Sequence, residues 1–542
     1  MSSFWLKIIH SSYYNAAKQN HILIKSAATA CAAGGALVVY STFTSNKHAQ
    51  TESSPLAAAA AALRFIRSLR IGLTISIDYW LNQRILNPES EDYEKCMSIV
   101  HSRNANRILH GCMINGGTYI KIGQGLVSLS HILPREYITT LQWLQDKCLV
   151  RKGDEVEQIF MAEFGKSPDD MFKSFQHEPI AAASLAQVFV ATTKNDEKVA
   201  VKVQYKDLQE RFSNDVSTIE FLLRLAAYFH PTFDFTWILQ DLTENLRNEL
   251  DFKKEGQNAE KCAGDLAHLS YIYIPKVYWD LCSKRVLVTE FIDAIKISEN
   301  EALIQRGHSL ADIDKKMFTA FGEQIFQIGF VHADPHPGNV FVRKFNNETQ
   351  LVLLDHGLYQ QLSEDERIGL SNFWQAIVIR DRIKMDKYSK ALGVQNYAEF
   401  AEVLTQTPMK KEFRLVTRLT QTDIDYISEV AQHRLDIITK TLKEMPRSLL
   451  FVIRNLNTLR AIAHDHGNPV NRYRILARIA TKTAFKNEDS FWMKVRSIPL
   501  RISFEYQLFL QRSWLAFMKW YFKFLEMIGR APDTSAILAL MY

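Results

Sequence analysis

Residues 328–359 read IGFVHADPHPGNVFVRKFNNETQLVLLDHGLY, and this stretch decides the fold. Two apolar runs, 340–342 and 351–354, flank a polar turn at 345–348 and so predict a β-hairpin. Polar residues lie at both ends of the hairpin, where a hairpin alone does not need them. They are His332, Asp334 and Asn339 before the first run, and Asp355-His356-Gly357 after the second. The stretch therefore predicts a functional loop built on a hairpin.

The order of these polar residues points to phosphoryl transfer. An Asp, an Asn five residues later and a strand pair ending in Asp-x-Gly is the order found in kinase catalytic and metal-binding loops. Asp334 is the predicted catalytic residue, which orients or deprotonates the acceptor. Asn339 and Asp355 are the predicted metal ligands, because Mg²⁺ prefers hard oxygen donors. From these residues alone two alternatives stay open: ordinary turns, or a transition-metal site using His332, His336 and His356.

Composition predicts a large globular protein. The chain has 542 residues, of which 47% are hydrophobic and 23% charged, enough for several domains or one bilobal domain. The net charge is only +6 and no basic tract occurs, so no nucleic-acid partner is predicted. The six cysteines form no C-x-x-C pair, which argues against a zinc ribbon.

Residues 1–50 are predicted to be a mitochondrial targeting segment. They carry four lysines, no Asp or Glu and many Ser, Thr and Ala residues, which is typical of a presequence. Within them, residues 27–43 are uncharged but only weakly apolar. That run predicts either a possible transmembrane helix or an Ala-rich helix packed on the domain.

Two further segments are predicted helices that either contact a membrane or pack on the rest of the protein. In 51–92, Arg64, Arg67 and Arg70 recur among apolar residues and predict a basic amphipathic helical linker, which either packs on the domain or contacts anionic headgroups. The region 476–542 is predicted to be an aromatic, basic helical tail. Between 491 and 530 it has seven Lys or Arg and two Glu, so it either lies at a membrane interface or packs as a last helix.

The region 178–203 predicts a phosphate-binding hairpin. It reads as a strand, a small-residue turn and a second strand, followed by the strand 199–203 that contains Lys202. A V-A-x-K strand after such a turn is typical of the kinase lysine that contacts the α- and β-phosphates; the alternative is an exposed edge-strand lysine. Small residues let backbone N–H groups approach phosphate closely. The turn residues predicted to bind the cofactor are Ala181, Ala182, Ala183 and Ser184.

The next acids and strands supply the remaining kinase features. A kinase pairs its strand lysine with a helix glutamate, and Glu255 is the predicted partner, with Glu249 and Asp251 close by in the sequence. The alternative is a solvated acidic helix face. Two strands are predicted at 274–280 and 285–292, and Glu290 in the second lies where a kinase hinge binds adenine.

The order of all these features favours one reading. A small-residue loop, a strand lysine, a helix glutamate, a hinge-like strand, Asp-x₄-Asn and Asp-x-Gly follow one another as in a bilobal kinase. A metal hydrolase would have no use for Lys202 or Glu255. We therefore predict an α+β, bilobal, protein-kinase-like fold that is mostly helical.

Five motifs together resemble the UbiB family, the aarF-domain-containing atypical kinases. They are Lys121-Ile-Gly-Gln124, the AAASLAQ run at 181–187, Glu249-Leu-Asp251, HADPHPGN at 332–339 and Asp355-His-Gly357. The resemblance runs from residue 94 to residue 474. It implies a helical K-x-G-Q extension that lies over the active site, places Lys121 and Gln124 near the nucleotide and obstructs peptide substrates.

The resemblance also implies roles for individual residues. Lys202 and Glu255 would form the ion pair, Asp334 the catalytic-loop acid, and Asn339 and Asp355 the metal ligands. Glu249 and Asp251 would form the E-x-D element facing the extension. The implied cofactors are ATP and Mg²⁺, with a lipid or small molecule as substrate at a mitochondrial inner membrane.

At two positions the sequence differs from the coenzyme Q-linked members of the family. Members linked to coenzyme Q have Gly where Ala186 stands and Phe where His356 stands, so the chain resembles the other animal mitochondrial branch. The expected role is lipid or coenzyme Q homeostasis or inner-membrane organisation; the alternative is an ATP-gated lipid-binding chaperone or scaffold without phosphoryl transfer. The predicted partners also include a second copy of the chain, in a homodimer. The predicted domains are the extension at 93–175, an N-lobe at 176–294 and a C-lobe at 295–475, between the segments described above.

Overall fold

The computed structural model describes most of the chain between residues 55 and 484. The described ranges are 55–85, 92–127, 133–146, 155–182, 185–206, 208–229, 246–407 and 444–484, with positions 243 and 441 and nine positions between 502 and 524. The predictions for 1–50 (including 27–43), for Ala183 and Ser184 and for most of the tail lie outside these residues. Two compact units are present, one of Met1–Leu250 with Lys284–Val286 and one of Asp251–Ser283 with Leu287–Tyr542.

The first unit contains eight described helices and four strands. The helices are α1 Pro55–Ile85, α2 Tyr93–Asn115, α3 Thr118–Val127, α4 Arg135–Leu141, α5 Trp143–Asp146, α6 Glu155–Phe164, α7 Pro168–Met171 and α8 Leu208–Phe229. The strands are β1 Ser174–Phe175, β2 Ala181–Ala182, β3 Ala186–Thr192 and β4 Lys198–Gln204.

Helix α1 packs one face within its own unit. Ala61, Phe65 and Leu69 are buried and form a cluster with apolar residues of α8. Arg64 Nε lies 2.9 Å from the buried Asp215 Oδ1, so one of the three recurring arginines is an internal ion-pair partner. Of the two alternatives for this helix, packing on the domain therefore accounts for the arginine at 64.

The strands of the first unit place Lys202 and Ala181 on the same face of the sheet, with Val188 between them. Strand β3 pairs antiparallel with β4 on one side and with β1 and β2 on the other. In this register Ala181 is opposite Val188, and Val188 is opposite Lys202. Directly opposed residues of antiparallel strands point to the same face, so these three residues form a row across the sheet. Lys202 is half-buried on this face, whereas Val201 and Val203 are buried on the other.

The second unit is built from helices around a small sheet. Its helices are α9 Phe252–Asp265, α10 Asn300–Gln305, α11 Leu310–Glu323, α12 Glu364–Ile379, α13 Arg382–Ala391, α14 Tyr397–Thr405, α15 Arg447–Asp465 and α16 Arg472–Ala484. Its strands are β5 Ile272–Tyr273, β6 Val286–Glu290 (which begins at the unit boundary), β7 Ile295–Lys296, β8 Phe330–His332, β9 Val340–Phe345, β10 Glu348–Leu353 and β11 Tyr359–Gln361. Strand β10 lies between β5 and β9, and β7 adds to β9.

The predicted hairpin forms with a tighter turn than expected. Strands β9 and β10 extend to Phe345 and from Glu348, so the turn is Asn346-Asn347 alone. Both asparagines have positive φ, 49° and 66°, as two-residue hairpin turns require. Asn tolerates this left-handed region better than most residues, which explains why the turn needs no glycine.

The predicted strand at 274–280 is wrong. Only Ile272–Tyr273 forms a strand, parallel to β10, and Trp279–Leu281 is a 3₁₀ turn. Between them a single bridge joins Val277 and Thr289. Pro275 has no N–H to donate to a ladder, which explains why regular pairing stops there.

The segment before β8 is helical in two parts. Helix α11 buries Met317, Phe318 and Phe321 and continues as one π-helical turn, Gln324–Ile328, which ends at Gly329 with φ 77°. A π turn at the end of a helix is common beside functional sites. Here it leads directly into β8 and the 332–339 loop.

The predicted mostly helical α+β class is confirmed. Among the residues that the model describes, no helix combines the length and apolarity needed to cross a membrane.

Candidate active site

The hairpin brings Asn339 and Asp355 to the same end of the second unit's sheet. Val340 is opposite Leu353 in the register, so the residues just beyond them also meet. The Leu354 N–H donates to the Asn339 carbonyl at 3.0 Å, and Asp355 follows directly. The Asn339 side-chain amide is 3.5 Å from the Asp334 carbonyl. Local register alone therefore brings the backbones of all three predicted loop residues together.

His332 joins the two ends of this loop. Its Nδ1 accepts the Asp334 N–H at 3.1 Å, so its Nε2 carries the proton and donates to the Asp355 carbonyl at 2.8 Å. Burial lowers the pKa of His332, although the charges of Asp355 and Asp334 oppose that change. A neutral imidazole with a fixed tautomer thus sets the distance between the segments that carry Asp334 and Asp355.

A second histidine, His356, also uses both of its ring nitrogens in hydrogen bonds. His356 is buried, with Nε2 3.1 Å from the Leu353 carbonyl and Nδ1 2.9 Å from the Tyr359 hydroxyl. Because Nε2 must donate to the carbonyl, Nδ1 of a neutral ring accepts from Tyr359. Burial also raises the pKa of Tyr359, which keeps its hydroxyl a donor.

These hydrogen bonds bear on the transition-metal alternative. The Nδ1 lone pairs of His332 and His356 both accept hydrogen bonds, so neither ring has a nitrogen available as a ligand. Within the described part of the chain, no group of three or more His, Cys, Asp or Glu residues is arranged to hold a metal ion.

The oxygen donors of the loop suit a harder ion. Asp355 Oδ1 accepts the Gly357 N–H at 2.9 Å, which fixes the carboxylate at the start of the Asp-x-Gly turn. Asn339 directs its amide nitrogen toward the Asp334 carbonyl, which leaves the amide oxygen on the other side. A carboxylate and an amide oxygen on fixed backbones are suitable Mg²⁺ ligands.

Helix α15 contributes two residues that the sequence reasoning missed. Arg454 Nη2 lies 2.9 Å from Asp334 Oδ2, and the buried Asn455 donates to the His332 carbonyl at 2.6 Å. Neighbouring residues of one helix thus hold both the acid and the backbone of the loop. The available signal was an Arg-Asn pair inside the otherwise apolar run LLFVIRNL at 449–456.

In the first unit, the K-x-G-Q residues connect helices of the extension. Lys121 Nζ lies 2.7 Å from Glu249 Oε2, and Gln124 Nε2 donates to the Leu144 carbonyl at 2.8 Å. A Cβ at Gly123 would lie 2.4 Å from Leu144 Cδ1, so the glycine allows α3 and α5 to approach closely. The Lys121–Glu249 ion pair joins the extension to the E-x-D segment.

The remaining predicted residues lie at the ends of helices and strands. Asp251 is the N-cap of α9, accepting the Lys253 N–H at 3.1 Å, and Glu255 is buried in the first turn of that helix. Glu290 ends β6; its carboxylate accepts the Tyr273 hydroxyl and its N–H donates to the Lys276 carbonyl at 2.9 Å. Lys202 belongs to the first unit and Glu255 to the second, so their ion pair stays a prediction.

The chain is similar in sequence to a family of known proteins. The model described as ABC1 atypical kinase-like domain matches residues 143–389. The probable serine/threonine-protein kinase abkD of Dictyostelium discoideum is 40% identical over 453 residues, 82% of this chain and 65% of its own length. AarF domain-containing protein kinase 1 of Xenopus laevis is 35% identical over 410 residues, 75% of this chain and 79% of its own. Among solved structures, the Rv3197–erythromycin complex of Mycobacterium tuberculosis aligns at 18% identity with a TM-score of 0.40, over 69% of this chain and 98% of that one.

The fold and the hairpin-borne Asp, Asn and Asp-x-Gly residues define a protein-kinase-like protein. Its sequence relatives are atypical members of that class, and the match to them extends over most of the chain. The chain belongs to the ABC1/AarF family of atypical kinases.

Proposed function

We propose that this protein is a Mg²⁺–ATP-dependent atypical kinase or ATPase that acts on a lipid or small molecule at a mitochondrial membrane. The observation that carries the proposal is the cluster of Asp334, Asn339 and Asp355 around His332. Lipid or coenzyme Q homeostasis, or inner-membrane organisation, is the role that we propose for the activity.

Each residue of the cluster has a definite task in this proposal. Asn339 and Asp355 would hold Mg²⁺, which when bound offsets the negative charge of the phosphates. Asp334 would accept the hydrogen bond, and finally the proton, of the acceptor hydroxyl. His332 keeps the Asp334 and Asp355 backbones at a fixed separation, so that acid and metal ligands do not move independently.

The cations have complementary tasks. Arg454 fixes one of the carboxylate oxygens of Asp334. Lys202, in the row with Ala181 and Val188, would bind the α- and β-phosphates, with Glu255 as its ion-pair partner. The Lys121–Glu249 pair would hold the extension in place.

One observation favours a second candidate, an ATP-gated lipid-binding chaperone or scaffold. The Arg454 guanidinium lies 2.9 Å from Asp334 Oδ2, so one oxygen of the proposed acid already has a partner within the protein. In this version nucleotide binding changes conformation and Asp334 has a structural task. Both candidates use the same nucleotide site, and only the kinase or ATPase requires phosphoryl transfer.

The nucleotide proposal is tested by thermal denaturation of the full chain with Mg²⁺–ATP. A ligand at about 100 times its Kd stabilises the native state by about 2.7 kcal/mol. We expect this stabilisation in the wild type and its loss in Asp355→Asn, whereas Asp280→Asn, an exposed aspartate of the same unit, should respond like the wild type. Equal responses of wild type and Asp355→Asn, or no response at all, would refute the proposal.

A complementation experiment separates the two candidates. Null cells receive the wild type, Asp334→Ala or Asp355→Asn, and the lipids and small metabolites are profiled. Failure of both variants supports a kinase or ATPase. Full rescue by Asp334→Ala but not by Asp355→Asn supports the ATP-gated scaffold.

The mitochondrial location is tested separately. A fluorescent fusion of the full chain should reach mitochondria, and one lacking residues 1–50 should not. Mitochondrial import of the shortened fusion would remove the basis for this part of the proposal.

A further inference from the structure

A patch of apolar and aromatic side chains is exposed on the tail. Eight residues, which we call the tail face, are each between 40% and 63% exposed. They are Ile502, Tyr506, Phe509, Leu510, Phe517, Trp520, Tyr521 and Phe524. Single exposed apolar residues are normal on protein surfaces, but a large contiguous apolar patch marks an interaction surface.

The tail face follows the period of a helix. The described helical positions 502, 506, 509, 513, 517, 520 and 524 are separated by three or four residues, which places them on one side. The rings lie close together: Trp520 is 6.2 Å from Phe517 and 5.7 Å from Phe524 between centroids, and Phe517 is 6.2 Å from Tyr521. The rings between 517 and 524 are therefore continuous, and Ser513 separates them from the exposed residues at 502–510 along the same helical strip.

Basic residues accompany this strip in the sequence. Arg501, Arg512, Lys519 and Lys523 each directly precede a position of the strip, namely 502, 513, 520 and 524. These four basic residues lie outside the described positions and are known only by their place in the sequence. On a helix one residue corresponds to about 100°, so their spacing in the sequence is that of a basic row beside an apolar face. Such an arrangement suits a helix that lies in the headgroup region of an anionic bilayer.

We propose that the tail face is a docking surface for an anionic lipid bilayer, on which the helix lies parallel to the membrane. Trp and Tyr are favoured at the headgroup boundary because their rings are apolar and their N–H or O–H groups remain hydrated. The basic row would contact lipid phosphates while the aromatic strip enters the acyl boundary. This gives the membrane association of the proposed function a specific surface and shares no residue with the nucleotide site.

Charge separates a bilayer from a second copy of the chain as the occupant. The sequence from 491 to 530 has seven Lys or Arg against two Glu. Pairing two tail faces would bring two such positive segments together, which is unfavourable, whereas an anionic surface neutralises them.

The proposal is tested by flotation of the full chain with vesicles. One set contains phosphatidylcholine alone and the other phosphatidylcholine with phosphatidylglycerol. We expect binding to the anionic vesicles and a loss of about 100-fold in the combined variant Phe509→Ser, Phe517→Ser and Trp520→Ser, since each ring contributes about fivefold. Ile383→Ser removes an apolar side chain that is 85% exposed on α13 and should bind like the wild type.

A second variant tests the basic row. Lys519→Gln with Lys523→Gln should lower the preference for anionic vesicles by about 25-fold, about fivefold for each cation, and the remaining preference should weaken in salt. A lowered preference in this variant, together with loss of binding in the aromatic variant, supports the two-part surface, whereas an unchanged preference would contradict the role of the basic row.

Trp520 supplies a direct readout of insertion. Lipids brominated on their acyl chains should quench the emission of the wild type more than that of Trp520→Phe, which retains an apolar ring. Equal quenching would mean that Trp520 does not enter the bilayer and would overturn the proposal.

Two other results would also overturn it. One is unchanged flotation of the aromatic variant, provided that its melting temperature without ligand matches that of Ile383→Ser. The other is a lipid-free dimer of the wild type that becomes monomeric in the aromatic variant, which would assign the tail face to a second copy. Neither result depends on nucleotide binding, so failure here is distinguishable from failure of the proposed function.

Discussion

The 332–357 loop of the second unit and the K-x-G-Q extension of the first are stabilised in different ways. In the loop, buried histidines bond to backbone groups that are close in the sequence, and the hairpin register fixes the geometry. In the extension, a half-buried ion pair, Lys121–Glu249, joins segments that are far apart in the sequence. The loop is therefore fixed by its own register and buried hydrogen bonds, whereas the extension is held by contacts that can be broken at smaller cost.

The largest effect is expected at a buried pair in the second unit that joins α11 to the end of α15. His466 Nδ1 lies 2.6 Å from Asp314 Oδ1 and its Nε2 is 2.9 Å from the Ile297 carbonyl, with both side chains fully buried. Removing one partner of such a pair costs about 3–5 kcal/mol. We expect Asp314→Ala to lower the free energy of unfolding by that amount in urea denaturation.

The matched control is Asp465→Ala, which removes an exposed carboxylate beside His466. It should stay within about 0.5 kcal/mol of the wild type. Equal costs for the two variants would contradict the idea that burial of the ion pair determines its contribution to the free energy of unfolding.

The next effect is expected at His332. His332→Phe keeps an aromatic ring beside Phe321 but leaves the Asp334 N–H and the Asp355 carbonyl without their partner. Two such losses cost about 2–4 kcal/mol together. Urea denaturation should show this cost, and thermal shift should show a weakened Mg²⁺–ATP response.

His464→Phe is the control for this change, because His464 is exposed on α15. It should leave both readouts unchanged. A normal nucleotide response in a destabilised His332→Phe variant would mean that His332 supports the fold without ordering the site.

The buried pair also predicts a pH dependence. Burial alone would lower the pKa of His466, but hydrogen bonds to Asp314 and to the Ile297 carbonyl, with the charge of Asp314, raise it overall above 6.5. The native state therefore binds more protons than the unfolded state in the window above pH 6.5. Stability from this pair is complete below pH 6.5 and is lost as the pH rises through the raised value, at most about 1.4 kcal/mol per pH unit.

Urea denaturation across that window measures the dependence in the wild type and in Asp314→Asn, which lacks the carboxylate charge. The wild type should lose more stability than the variant as the pH rises. Parallel curves would show that His466 does not carry the dependence.

The smallest effect is expected in the extension. Lys121→Gln and Glu249→Gln should each cost about 1 kcal/mol, since the pair is only partly shielded from water. A double-mutant cycle should give a coupling of about 0.5–1 kcal/mol. A Lys121–Glu249 coupling energy as large as the cost of Asp314→Ala would mean that the ion pair of the extension is as stabilising as the buried pair of the second unit.

The sequence was most informative where function depends on residues that are close together along the chain. Asp334, Asn339 and Asp355 could be placed together because the 340–342 and 351–354 runs had to pair as a hairpin. The strand at 274–280 failed because its apolar pattern outweighed Pro275. The turn was predicted two residues too wide, because nothing in Asn-Asn alone fixes where the pairing ends.

Contacts between distant residues were beyond this reasoning. Arg454 reaches Asp334 across 120 positions, and no spacing rule relates an arginine in an apolar helix to a particular acid. The same holds for Gln124 and the Leu144 carbonyl, where an amide could have served equally well on the surface. Periodicity predicts which face of a helix is apolar, but not which group that face meets.

The position of Arg454 has a consequence for the synthesis and processing of the chain. The segment matched as an atypical kinase-like domain ends at residue 389, and α15 begins only at Arg447. A ribosome that has completed the last of the five motifs, Asp355-His-Gly357, has still not made the helix whose Arg454 contacts Asp334. A proteolytic fragment ending between these two positions would therefore contain all five motifs and would lack the guanidinium that contacts Asp334.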